Sequence, residues 1–158
     1  MSLSSPTRLA RALALAIPAL LLGGAYVSQY GFGLYPCEMC WWQRWSHFAA
    51  VALALLAYVA PPARLWIGLA AIAILVSGAI GLFHAGVEYG WWQGITSCAA
   101  IVSDEGGSAL DSIMNTPLVR CDEPAWTLFG ISLAGFNFLI STAAGIAILV
   151  LLGKDRRA

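Results

Sequence analysis

The sequence predicts an all-α fold, a four-helix transmembrane bundle with two external cysteine-bearing loops at one end. Three observations predict it. Of 158 residues, 60% are hydrophobic and only 10% charged, against about 25% charged in ordinary soluble domains, and the mean hydropathy is +0.79. Four runs lack Asp, Glu, Lys and Arg altogether: Ala12 to Cys37, Trp45 to Ala63, Leu65 to Val87 and Pro124 to Gly153. A hydrocarbon core roughly 30 Å thick takes about 20 apolar helical residues to cross, so each run is of spanning length. Finally, the four cysteines cluster in two segments that alternating spans place on the same side of a bilayer.

Helix one is expected over about 9–30, with Pro18 tolerated in lipid and Tyr26 and Tyr30 near an interface. Gly31, Gly33 and Pro36 break it and open a short external loop, 31–40. Helix two follows over about 41–59, stopped by Pro61 and Pro62. Helix three takes about 65–87, with Gly68, Gly78, Gly81 and many alanines, the small residues that let membrane helices approach closely. A long loop over 88–125 is expected next. Its Trp91 and Trp92 suit a membrane interface, and Ser103 to Ser108 is polar and glycine-rich. Helix four is expected over about 126–152, and residues 1–158 read as one membrane domain. The alternative for the first segment is a signal peptide, but its apolar run passes the 7 to 15 residues of such a segment.

The net charge of zero hides a segregation. Arg8, Arg11, Arg64, Lys154, Arg156 and Arg157 share one face of a four-span topology, while Arg44 and Arg120 do not. Excess Lys and Arg marks that face, with both termini, as cytoplasmic. The two cysteine loops then lie outside, in the compartment where disulfides persist.

The cysteine pairs differ in what a bond would achieve. Four cysteines allow three connectivities. Closing Cys98 to Cys121 would span 22 intervening residues and stabilise by roughly 3 kcal/mol in the loop-entropy view. Closing Cys37 to Cys40 would constrain almost nothing, so exchange chemistry explains that pair better than stapling. It sits at the start of helix two, where the positive end of the helix dipole favours a thiolate. Zinc ligation by the four thiols is an alternative, as are two inert structural disulfides.

Gln43, Arg44 and His47 stand three, four and seven residues after Cys40 and share one helical stripe with it. Arg44 lies about a turn inside the helix, and an ionisable group there is read as functional: its guanidinium would bind an oxygen of a carbonyl cofactor, unless it snorkels to headgroups. His47 lies deeper. His84 and Glu88, four apart on helix three, could face the same pocket.

Together these features resemble the DsbB family, bacterial disulfide-bond-formation protein B, over nearly the whole chain. The matching features are Pro36-Cys37-Glu38-Met39-Cys40, Arg44 four residues on, the second cysteine pair before helix four, and Cys121-Asp122-Glu123-Pro124-Ala125-Trp126; His84-Ala85-Gly86-Val87-Glu88 also looks like a family string. The resemblance implies a protein dithiol:quinone oxidoreductase of the bacterial inner membrane with its cysteine loops in the periplasm. It implies catalytic Cys37, Cys40, Cys98 and Cys121, a quinone (ubiquinone or menaquinone) near Arg44, Gln43, His47, His84 and Glu88, and no metal. Its partners would be membrane lipid, the quinone pool and a periplasmic thioredoxin-fold DsbA-like donor, with no nucleic acid. DsbA, DsbB and quinone together keep a periplasm oxidising. In this scheme Cys98 accepts the donor, and electrons pass from the Cys98–Cys121 pair to Cys37–Cys40 and on to the quinone. The rival thiol oxidases of vitamin K epoxide reductase type carry their CxxC by the last helix, after the loop pair, the reverse of the order here.

Overall fold

The structure is a computed structural model that describes residues 4–96, 99–100 and 118–154. Four helices dominate it: α1 (Ser5–Phe32), α2 (Glu38–Val59), α3 (Ala63–Glu88) and α4 (Leu133–Lys154). They pack in cyclic order, each against its sequence neighbour and α1 against α4. The expected all-α bundle is therefore the observed one.

Local chemistry sets each boundary. Ser4 caps α1 by accepting from the Thr7 amide at 3.3 Å, and Pro6 sits in the first turn, where no amide proton is needed. Gly33 ends α1 in the left-handed region at φ 69°, returning the Gly33 and Leu34 amides to the Ser28 carbonyl. Pro61 and Pro62 terminate α2, and Arg64 donates to the Leu152 carbonyl at 2.6 Å, joining the start of α3 to the end of α4.

The fourth helix departs from expectation. It begins at Leu133 rather than at Trp126, because the chain first makes a small antiparallel hairpin. Two short strands precede this hairpin, β1 (Ala99–Ala100) and β2 (Leu118–Val119), and pair with each other; the hairpin itself is β3 (Thr127–Leu128) with β4 (Ile131–Ser132). Phe129 and Gly130 turn the hairpin with positive φ, 51° and 77°. Tyr89 at the end of α3 anchors it, donating to the Gly130 carbonyl and accepting from the Ser132 amide. Ser132 then caps α4 through the Gly135 amide at 3.1 Å.

α1, α3 and α4 are each long and apolar enough to cross a membrane. α2 is long enough, but Gln43, Arg44, Ser46 and His47 crowd its first third and lower its hydropathy. The helix that carries the polar residues is the one that composition alone marks least as a span. Toward the Pro61–Pro62 turn the bundle is tight and dry, built on Ala10, Ala14, Ala50, Ala54, Ala57, Ala70 and Ala71 with Ile67, Ile74 and Ile148. Large apolar side chains such as Leu20 and Val59 point outward, as befits a bundle whose solvent is lipid. Toward the cysteine end the packing opens into a cavity.

Candidate functional site: a thiol pair at the mouth of a buried cavity

Cys37 is the N-cap of α2, and its sulfur accepts the Cys40 amide at 3.3 Å. Pro36 before it and the helix after it leave the CxxC little freedom. The two sulfurs lie 2.8 Å apart and share a hydrogen bond. That bond, with burial added, pushes the Cys37 thiol well above the usual range.

The two cysteines face different surroundings. Cys40 lines a cavity of about 280 Å³ together with Gln43, Arg44, His47, His84, Glu88 and, from α4, Asn137; the remaining walls include Leu20, Leu21, Leu22, Leu133 and Phe136. Cys37 is buried against Met39, Val87 and Cys121. The sulfurs of Cys37 and Cys121 and a ring nitrogen of His84 all lie within 4.8 Å of one another. Beside Cys121, the exposed Arg120 forks onto Asp122 at 2.9 and 2.6 Å and holds that carboxyl below the usual carboxylate range.

Arg44 is buried and held from α1. It donates to the Gln29 side chain at 2.5 Å and the Ala25 carbonyl at 3.1 Å, between the Tyr26 and Trp41 rings at 5.0 and 5.1 Å. It does not snorkel; its cation is stacked and hydrogen-bonded at the cavity wall. Trp45, whose ring packs beside that of Trp41, is largely exposed.

Behind Cys40 runs a polar ladder. Gln43 donates to the Met39 carbonyl at 3.2 Å and meets His84 Nδ1 at 3.0 Å, while its oxygen accepts from Asn137 at 2.7 Å. Asn137 Oδ1 meets His47 Nε2 at 2.9 Å and accepts from Ser141 at 2.8 Å, and Ser77 donates to the Gln43 carbonyl at 3.1 Å. His84 reaches Cys37 Sγ at 3.6 Å and Glu88 at 3.7 Å.

The structure thus brings together Cys37, Cys40, Cys121, Gln43, Arg44, His47, His84 and Glu88. Cys98 lies outside the described residues. Cys37, His84 and Cys121 could geometrically hold a metal. Sequence reading missed Asn137, Ser77 and Gln29. The signal for Asn137 was available, as the lone Asn in an otherwise apolar span.

The family model for disulfide bond formation protein DsbB matches residues 7–151. The chain belongs to the DsbB family. Among curated relatives, a disulfide bond formation protein B of Verminephrobacter eiseniae is 29% identical, covering 97% of this chain and 89% of its own. Disulfide bond formation protein B 2 of Pseudomonas savastanoi is 31% identical over 84% of this chain and 79% of its own. An uncharacterised protein of Rickettsia prowazekii is 27% identical over 87% and 80%. No solved structure matches. Membership of the DsbB family carries disulfide bond formation and oxidoreductase chemistry in a membrane-embedded helical bundle.

Proposed function

We propose that the chain is a quinone-dependent thiol oxidase of the bacterial inner membrane that reoxidises a periplasmic DsbA-like dithiol protein, with Cys98 and Cys121 facing the donor and Cys37 and Cys40 facing the quinone. One observation carries this reading: both sulfurs of the CxxC border a second cavity beside Val119 and Arg120, but only Cys40 lines the cavity that holds Arg44. Cys37 touches Cys121, and Cys40 lines the cavity with Arg44. A two-electron relay needs that arrangement, because each sulfur of the middle pair must meet a different partner.

The cavity suits a quinone head. Its volume is near the lower end of small-molecule sites, roughly 300 Å³, its walls are mostly apolar, and leucines of α1 with Phe136 of α4 line the side from which a lipid-soluble molecule would enter. When bound, a quinone supplies the two-electron acceptor. Arg44 supplies N–H donors and a fixed positive charge at the wall beside Cys40, an electrostatic aid of the oxyanion-hole type. Cys40 takes the reactive role because it is the sulfur of the pair that lines the cavity with Arg44.

The test is turnover of the full-length protein in lipid nanodiscs, with a reduced thioredoxin-fold donor and ubiquinone or menaquinone supplied in turn. Parent protein is expected to oxidise the donor with one of the two, and Cys37→Ser and Cys40→Ser to abolish this. Unchanged turnover in both variants would remove the CxxC from the mechanism.

A further inference from the structure

We infer that His84, besides lining the cavity, acts on the sulfurs: its Nε2–H and the Cys40 amide converge on Cys37 Sγ and stabilise the thiolate that forms there during exchange with Cys121. The inference deepens the proposed function and rests on it. It follows from a hydrogen-bond count that starts at one backbone atom. The Met39 carbonyl can only accept, so the Gln43 group 3.2 Å from it is the amide nitrogen. That nitrogen's second hydrogen faces His84 Nδ1 at 3.0 Å, so Nδ1 is an acceptor. The oxygen of Gln43, set by the same orientation, accepts from Asn137 at 2.7 Å, which confirms the sense of the ladder. A neutral imidazole with a bare Nδ1 carries its proton on Nε2. Nε2 is the nitrogen 3.6 Å from Cys37 Sγ and 3.7 Å from Glu88 Oε1. Glu88 competes for the same hydrogen and keeps the ring turned toward the sulfurs.

The exchange balances as follows. With both pairs oxidised, the donor reduces Cys98–Cys121. The Cys121 thiolate attacks Cys37 Sγ, the Cys37–Cys40 bond breaks with its electron pair going to Cys40, and a Cys37–Cys121 bond forms. The Cys98 thiolate then attacks Cys121, and the Cys37–Cys121 bond breaks with its electron pair going to Cys37. The Cys98–Cys121 disulfide is restored, and the two protons of the loop thiols end on Cys37 and Cys40. In the second step Cys37 is the leaving group, and a buried sulfur leaves slowly unless donors meet the departing charge. The Cys40 amide, at 3.3 Å, supplies one such donor through the helix cap. His84 supplies the other, and it alone is a side chain that can be removed without altering the backbone.

Two measurements test this. The first uses oxidised full-length protein without quinone, mixed with one equivalent of reduced thioredoxin-fold donor, acid-quenched, and its thiols mapped by alkylation. His84→Leu is expected to slow the appearance of reduced Cys37 and Cys40 by about 10- to 100-fold, the worth of one hydrogen bond to a charged sulfur. His84→Gln, which keeps an N–H at similar reach, is expected to recover most of that rate. Transfer at the parent rate in His84→Leu, or equal slowing in His84→Gln and His84→Leu, overturns the inference. The second uses ¹⁵N-histidine NMR of the parent, independent of any activity. Nε2–H with bare Nδ1 at His84 is expected, and the opposite tautomer overturns the assignment. A parent protein that accepts no electrons from any thioredoxin-fold dithiol would instead bring down the proposed function, and is recognised because it appears without any His84 variant.

Discussion

Arg44 shows how a single residue can be costly and retained. An arginine in a membrane helix costs up to about 2.5 to 3.5 kcal/mol, the value at the helix centre on insertion scales, and for Arg44, nearer the helix end, α1 offsets the cost with Gln29, the Ala25 carbonyl and the Tyr26 ring. Removing the guanidinium should leave the fold standing and harm the cavity. Arg44→Ala is expected to raise the quinone concentration for half-maximal turnover by about 10- to 100-fold, the worth of one charge-assisted contact, with the loop disulfide still formed. Arg44→Lys should not restore it, because a point charge cannot reach Gln29, Ala25 and the cavity at once. Quinone titrations that superimpose on the parent's would make Arg44 an anchor only. Asn137 is the complementary case, structural first. Its side chain satisfies Gln43, His47 and Ser141 together, so Asn137→Leu should cost about 1 to 3 kcal/mol through the buried groups it orphans. Thermal unfolding in detergent checks this, and an unchanged midpoint would mean the ladder repairs itself. At this scale the sequence told unevenly. Cys37, Cys40, Arg44 and His84 stand out because charge, thiol and imidazole are rare in apolar spans. The partner of each could not be read, since Gln29 to Arg44 and Gln43 to His84 are contacts between helices that no local spacing encodes.

Among the elements, α3 carries the closest packing. Gly81 faces the Ala134 carbonyl and the Phe138 amide of α4, where an added Cβ would lie at 2.9 and 3.1 Å. Gly86 lies under the Trp92 ring, and a Cβ there would come within 2.1 Å of it. Trp92 stacks on Phe83 at 5.7 Å and donates to the Phe83 carbonyl at 2.9 Å, so it folds the chain leaving α3 back onto the helix. Gly86→Ala must expel that ring. Overpacking of this kind costs about 1 to 3 kcal/mol, and the expected result is a lower unfolding midpoint with altered tryptophan fluorescence; neither changing would show that Trp92 rests there without contributing. The small-residue stripe of α3 was legible in the sequence. The docking of Trp92 was not, because the same residue satisfies an interfacial belt. The start of α4 was misplaced for a related reason: Trp126 to Ser132 is uncharged and reads as span, while the turn at Phe129 and Gly130 and the Tyr89 anchor, 41 positions away, make it a hairpin.

For the molecule as a whole, two regions divide the work. The alanine-rich end holds the helices together, and the cysteine end is left open, polar and reactive. Spacing and composition carried the bundle and the CxxC at a helix start. They could not show that the CxxC straddles two environments, which arises only when α3 and the segment around Cys121 fold over it. That straddling is the central claim, since it makes one pair serve both a thiol partner and a cavity. The most direct test follows quinone absorbance in a single turnover, with donor thiols counted in the same sample. One quinone reduced for each donor disulfide formed, with both lost in Cys40→Ser, is the predicted result. Donor oxidation without quinone reduction, or undiminished quinone reduction in Cys40→Ser, would contradict it.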